Sequence, residues 1–159
     1  MVKKIYTLFF IICGLYAISQ PCKDQVISDS LYRPNENVKV AVSALNCALK
    51  NGGSIQFINN HGKYHLKIKP NQKIGFDEKG SLELKSGSKG FYIKTATLYD
   101  AKLPEPYFIV DVQLNYIGQL KDDGLTSLVF NTFEVKFTRS DNDNIRATAK
   151  CFYNLNIKK

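Results

Sequence analysis

Residues 107–137 read YFIVDVQLNYIGQLKDDGLTSLVFNTFEVKF, the most apolar stretch left once the N-terminal segment is set aside, and the fold turns on how it is read. Val110, Val112, Leu114 and Tyr116 alternate with Asp111, Gln113 and Asn115, the period of a strand with one buried face. Phe133, Val135 and Phe137 alternate with Glu134 and Lys136 in the same way. Between them Lys121-Asp122-Asp123-Gly124 is a turn or cap signal, with Gly124 free to take positive φ. Two readings fit. Strand runs into strand through a long hairpin, which local periodicity favours. Alternatively Leu114, Ile117, Leu120 and Lys121, at steps of three and four, mark one face of a short helix near residues 113–121 that Gly124 closes.

Working outward toward the N-terminus, Val38, Val40 and Val42 alternate with Lys39 and Ala41 and start a strand. Its continuation through residues 44–49 reads equally as a bulged extension or as a helical turn ended by Asn51-Gly52-Gly53. Residues 54–59 and 63–69 flank Asn59-Asn60-His61-Gly62 and form a β-hairpin that Pro70 stops. Residues 70–80 form a loop with Ile74 and Phe76 tucked in. Short strands follow at 81–85 and 91–99, separated by the turn at 86–90, and the prolines of residues 102–106 break the ladder. On the C-terminal side the period changes after Thr138. Ile145, Ala149, Phe152 and Leu155 recur at steps of four and three, a helix that Ser140 or Asp141 is expected to cap. The fold class expected is α+β, mainly β: an antiparallel meandering sheet with a C-terminal amphipathic helix packed on one face.

The chain opens with Lys3 and Lys4, an apolar run over residues 5–18, and Ala17-Ile18-Ser19, a small-x-small cleavage signal. That run falls short of the roughly 18 apolar residues a membrane span requires, so residues 1–19 read as a secretory signal peptide. Neither Cys13 nor Cys22 sits in a lipid-anchoring context. Residues 20–37 are polar, include the turn cluster Arg33-Pro34-Asn35-Glu36-Asn37, and read as an N-terminal arm; residues 38–159 read as one domain. Cleavage removes two lysines and no acid, lowering the formal charge from +8 to +6 over 140 residues. A periplasmic or secreted location follows, with no transmembrane span after cleavage. A basic balance permits polyanionic partners, although a soluble solvated surface explains it as well.

Export makes a disulfide chemically possible, and three cysteines survive cleavage: Cys22, Cys47 and Cys151. Cys22 and Cys151 lie near the two ends of the mature chain and are the favoured pair. Cys47 is then a buried small hydrophobe.

The sharpest candidate binding feature is the basic stripe Lys63, His65, Lys67 and Lys69, since a period of two aims all four side chains to one face. Tyr64, Leu66 and Ile68 take the other. Such a face suits phosphate or carboxylate groups, with an anionic envelope component as partner, and an ordinary solvated sheet face is the competing explanation. Nucleic acid is disfavoured because Tyr64, the aromatic of that strand, points away from the lysines. His61 and His65 are too few for a zinc site. Asp141-Asn142-Asp143-Asn144 resembles the start of a calcium loop but has no glycine at the sixth place, and Phe152 stands at the twelfth. There is no Gly-x-Ser-x-Gly elbow, no Cys beside a plausible His, and no glycine-rich phosphate cradle. No catalytic residue and no cofactor is called for. A non-enzymatic binding or envelope-associated module is the expectation, with an unrecognised enzyme or a thiol-linked assembly component as alternatives.

Cys22, Lys63-Tyr64-His65-Leu66-Lys67-Ile68, Gly80-Ser81-Leu82-Glu83-Leu84-Lys85, Tyr92-Ile93-Lys94-Thr95, Leu120, Leu125-Thr126-Ser127-Leu128, Thr132 and Lys150-Cys151 together give the chain a further likeness. In their order it resembles the small exported proteins of unknown function found in Bacteroidetes. That resemblance implies a cysteine soon after cleavage, a helix between Val112 and Asp122 and a closing helix, and transfers no catalytic residue.

Overall fold

The computed structural model describes residues 22, 25–33, 38–50, 52–70, 82–87, 89–93, 107–130 and 133–157. The expected signal peptide at 1–19, the expected tucking of Ile74 and Phe76, the far part of the strand expected at 91–99 and the ladder break expected at 102–106 fall outside the described residues.

In chain order the elements are β1 (Val26–Arg33), β2 (Val38–Ala48), β3 (Ser54–Asn60), β4 (Lys63–Lys69), β5 (Leu82–Ser86), β6 (Lys89–Ile93) and β7 (Phe108–Val112). There follow α1 (Leu114–Asp123), β8 (Ser127–Phe130), β9 (Phe133–Lys136) and α2 (Arg139–Ile157). The fold is α+β and mainly β, as the alternations indicate. It is built, however, from two antiparallel sheets: five strands in the order β1-β2-β3-β4-β7, and four in the order β6-β5-β8-β9. Pro70 ends β4 and removes a ladder donor. The next described strand, β5, pairs with β6 and β8, setting Leu82 opposite Phe130 and Leu84 opposite Leu128.

Three further expectations are corrected. The N-terminal arm contains β1, an edge strand paired along its whole length with β2 from Val26↔Leu45 to Arg33↔Val38. Residues 44–48 are neither a bulge nor a helical turn but the plain continuation of β2, whose Leu45 and Cys47 face Phe57 and Ile55 of β3. The cap of α2 is Thr138, earlier than Ser140 or Asp141: the Asp141 amide donates to Thr138 Oγ1 at 3.1 Å, and the Asn142 amide to the Thr138 carbonyl at 2.9 Å.

In the deciding stretch the helix displaces the hairpin. Strand period holds through Val112, and then Ile117 and Leu120 are buried one helical step apart. Gly124, at φ 72°, closes α1 by donating its N–H to the Leu120 carbonyl at 2.8 Å. Leu114 and Tyr116, which the alternation would bury, are only half-buried in the helix, while Ile117 and Leu120 are fully buried.

The main core among the described residues joins both sheets and both helices. Leu45, Phe57, Leu66 and Val110 of the larger sheet meet Leu82, Leu84, Leu128 and Phe130 of the smaller; Ile117 and Leu120 of α1 join them, with Ile145, Ala149 and Phe152 of α2. Each such side chain contributes about 1.5–3 kcal/mol when fully buried. Phe108 stacks at a tilt on Phe130 across the sheets at 5.1 Å between centroids, and Phe152 meets Phe57 at 5.9 Å. The opposite face of the larger sheet carries its own small cluster of Val42, Ala44, Ile58 and Ile109, with Tyr107 packed against it.

Candidate functional site

The four stripe residues share one face of β4, as their period requires, but four different environments receive them. Lys63 is exposed at the hairpin end. That hairpin is tight: His61 (φ 49°) and Gly62 (φ 88°) both take positive φ, and the Gly62 amide donates to Asn59 Oδ1 at 2.8 Å. His65 is buried, 7 % exposed, and stands in register between Ile58 and Asp111. Its Nδ1–H donates to Asp111 Oδ1 at 2.6 Å, while Nε2 is buried with no hydrogen-bond partner. Lys67 is half-buried and carries its Nζ 4.7 Å from the centroid of the Tyr107 ring. Because Ile58, Ile109, Val42 and Ala44 occupy the same face, this side of the sheet is an apolar patch crossed by charges, not a continuous basic surface.

Lys69 reaches somewhere else. It lines a narrow cleft of about 20 Å³, room for roughly one water, where the end of β4 approaches the smaller sheet. Five segments build it. The β2–β3 turn supplies Leu49 and Gly53, closed by Leu49 N–H to Gly53 O at 2.9 Å and Gly52 N–H to Leu49 O at 3.1 Å. Ile68, Lys69 and Pro70 come from the end of β4; Leu128 comes from β8, and Val135, Lys136 and Phe137 from β9 and the residue after it. Asp141 comes from the first turn of α2. The walls are mainly apolar, and Lys69, Lys136 and Asp141 are the charged residues among those that line it. Lys136 is largely exposed and stands 3.9 Å from Glu134 Oε2, a separation at which a surface pair contributes little. The Glu134 carboxyl is held below its ordinary value by the Ser127 hydroxyl first of all, and this outweighs a small desolvation effect; Lys136 and Lys85 add to it.

Asp141 is the buried charge of the site, 1 % exposed, and its oxygens are engaged by the fold. Oδ1 accepts the Lys50 amide at 2.8 Å; Oδ2 accepts the Thr138 amide at 3.0 Å and the Thr138 hydroxyl at 2.5 Å. Burial pushes its carboxyl up, but the bonds from Thr138 and Lys50 together with the Lys50 charge outweigh burial and hold it below the ordinary aspartate value. Asn142 is likewise engaged, accepting the Leu125 amide on Oδ1 at 2.8 Å. The acidic run at 141–144 is thus a helix start tied to its neighbours. Among the described residues no group of three or more His, Cys, Asp or Glu side chains gathers as a metal site.

A second, more open and roomier groove of about 170 Å³ runs between the start of β1 and the last turns of α2, lined by Val26, Ser43, Ala44, Leu45, Asn59, Phe152, Leu155 and Asn156. Neither groove is lined by His61 or His65. The expected disulfide is present between Cys22 and Cys151, leaving Cys47 buried; burial pushes the Cys47 thiol up, against a bond to Thr148 and with Asp141 adding to the rise.

Of the candidate binding residues, then, the cleft takes Lys69 and leaves out Lys63, His65 and Lys67. Sequence reasoning missed Lys136, Leu49 and Phe137, whose approach to Lys69 depends on how two sheets meet. No protein-family model, curated protein or solved structure matches this chain.

Proposed function

We propose that the chain is an exported, non-enzymatic binding module of the cell envelope, holding an anionic ligand that carries one narrow apolar group. The observation that carries this reading is the cleft itself: apolar walls from both sheets with Lys69 and Lys136 in the lining. Small-ligand sites combine apolar surface with a few placed polar groups, and two lysines beside an apolar slot with room for roughly one water suit a carboxylate or phosphate head whose alkyl tail lies over the mouth of the slot instead of inside it. Asp141 keeps its negative charge, but it is buried and its oxygens are taken by three hydrogen bonds from the fold. The disulfide between Cys22 and Cys151 supports the export part of the reading, because such bonds persist in oxidising compartments.

An enzymatic reading finds one motivating pair, His65 with Asp111. It lies on the β4 face beside the Ile58–Ile109 patch, four residues or roughly 13 Å along the strand from Lys69, and outside both grooves. Thiol chemistry is disfavoured by the burial of Cys47.

The test is titration of the exported protein with octanoate, octanol and acetate, followed by chemical shifts of Leu49, Val135 and Phe137. Octanoate is expected to move these signals, and acetate is not. Exchanging Lys69→Gln together with Lys136→Gln is expected to weaken octanoate roughly tenfold and leave octanol unchanged. No shift with octanoate, or equal affinity in the double variant, would sink the reading.

A further inference from the structure

β1 stands at the end of the five-stranded sheet, and among the described residues no strand pairs with its other side. It is the longest of the four described edge strands: eight residues, against four or five for β6, β7 and β9. Sheets protect long edges with proline, lysine or a bulge. Val26–Arg33 contains no proline and no lysine, and its register with β2 steps evenly through all eight pairs. Every second residue of such a strand turns its N–H and C=O away from the partner, so a row of main-chain donors and acceptors is left open. The side chains at the start of β1 report the same thing. Val26 lies opposite Leu45 and so on the core face, whereas Ile27 lies opposite Ala44 and so on the outer face. Both are exposed, at 41 % and 42 %. A surface pressed against either face would cover one of them, whereas a strand laid alongside β1 flanks both.

The second groove opens beside that end of β1. Val26 and Leu45 line it from the sheet, and Phe152, Leu155 and Asn156 from α2. Its room, about 170 Å³, matches that of a cavity which accepts a benzene ring. No residue in its lining carries a charge, so a charged side chain entering it would give up water without gaining a counter-ion. The walls are fastened to each other. Asn59 Nδ2 donates to Asn156 Oδ1 at 2.5 Å, and Cys22, shortly before Val26, is bonded to Cys151, one helical turn before Leu155. Sites that take up an extended strand combine the two features found together here: main-chain bonds along an open edge supply affinity, and a pocket for one side chain supplies specificity. A strand added beside β1 directs alternate side chains to the core face, and the one next to Val26 arrives at the groove.

We propose that β1 receives an extended peptide of a partner protein as a further strand of the larger sheet, and that one large neutral side chain of that peptide, aromatic or branched aliphatic, enters the groove between Val26 and Leu155. The site is separate from the cleft at Lys69, so each reading stands or falls alone. The probe is a blocked heptapeptide with phenylalanine at its centre and threonine elsewhere, titrated into the protein with its disulfide intact. It is expected to shift the amide signals of β1 and the methyl signals of Val26, Leu45 and Leu155, and to slow amide exchange along β1. Lysine in place of the phenylalanine is expected to weaken binding at least about tenfold. Val26→Lys with Ile27→Lys, both at exposed positions, is expected to abolish binding while thermal unfolding and octanoate binding stay unchanged. Leu155→Phe, which narrows the groove and keeps the edge, is expected to bring the phenylalanine peptide level with an alanine-centred one. No binding of the phenylalanine peptide, equal binding of the lysine peptide, or shifts that miss β1 overturn the proposal. A dimer of the free protein that protects the β1 amides also overturns it, because the edge would then serve a second copy.

Discussion

Asp141 shows what a single residue contributes when a fold gathers bonds from distant segments onto it. Its carboxylate holds the first turn of α2 through Thr138 and the β2–β3 turn through the Lys50 amide, which lies 91 residues away in sequence. Asp141→Ala removes the acceptor of two buried or half-buried amides, and the expected loss is about 2–3 kcal/mol of unfolding free energy in urea at neutral pH. The pH dependence has a definite sign. The folded carboxyl titrates below the ordinary value of 3.8, so between the two values the unfolded chain binds the extra proton. The contribution is full above the ordinary aspartate range and is lost as pH falls through the folded value. Asp141→Asn should flatten that acid limb; an unchanged limb would show that another carboxylate sets it. Half of this arrangement was legible. Thr138-x-x-Asp141 is a capping pattern that the sequence displays, one turn before the cap expected from it. The bond to Lys50 was not legible, because no local pattern marks an amide that becomes a neighbour only when two elements pack.

At the scale of elements, residues 107–137 show why alternation is a weak arbiter. Val110, Val112, Leu114 and Tyr116 satisfy a strand, yet the chain turns helical at Leu114 because Ile117 and Leu120 can then enter the common core while Gly124 supplies the stop. Gly124 was visible in the sequence as a turn residue; its second duty was not. A Cβ there would stand 1.7 Å from Asn142 Oδ1 and 2.8 Å from Arg146 Cγ, so the glycine is also what lets the end of α1 press against α2. Gly124→Ala must therefore move Asn142 and forfeit its bond to the Leu125 amide, besides holding alanine at φ 72°. The expected cost is about 2–4 kcal/mol. Gly62→Ala makes the control, since its φ is 88° but nothing lies within 4 Å of the added atom, and about 1 kcal/mol is expected. Equal losses in urea midpoints for the two variants would mean that backbone conformation alone, and not the approach of the helices, sets the value of Gly124. The stripe on β4 follows the same logic: period two places Lys63, His65, Lys67 and Lys69 on one face, but only the partner strands decide that His65 is covered and that Lys69 lines a cleft with Lys136.

Across the whole molecule, the sequence supports the class, the order of strands in the first hairpins and the closing helix, while the division into two sheets depends on which strands find each other after Pro70. The Cys22–Cys151 bond spans 129 positions and ties β1, an edge strand, to the helix that seals the core. By loop-closure entropy such a bond is worth about 4–5 kcal/mol, so reduction should lower the urea midpoint by that equivalent, and Cys22→Ser with Cys151→Ser should start from the lowered value and ignore reductant. Thiol counting by intact mass makes the same experiment report on burial and on processing together. The chain has four cysteines, Cys13 among residues 1–19 and Cys47 buried and unbridged. A maleimide should leave Cys47 untouched in the native, unreduced protein, because a buried thiol with its pKa pushed up offers neither access nor thiolate. In urea without reductant a processed chain should gain one adduct, and three after reduction; a chain retaining residues 1–19 should gain two and four. Rapid native labelling of Cys47 would refute its place between β2 and α2, whereas two adducts in unreduced urea would leave the fold standing and remove the export cleavage from the account.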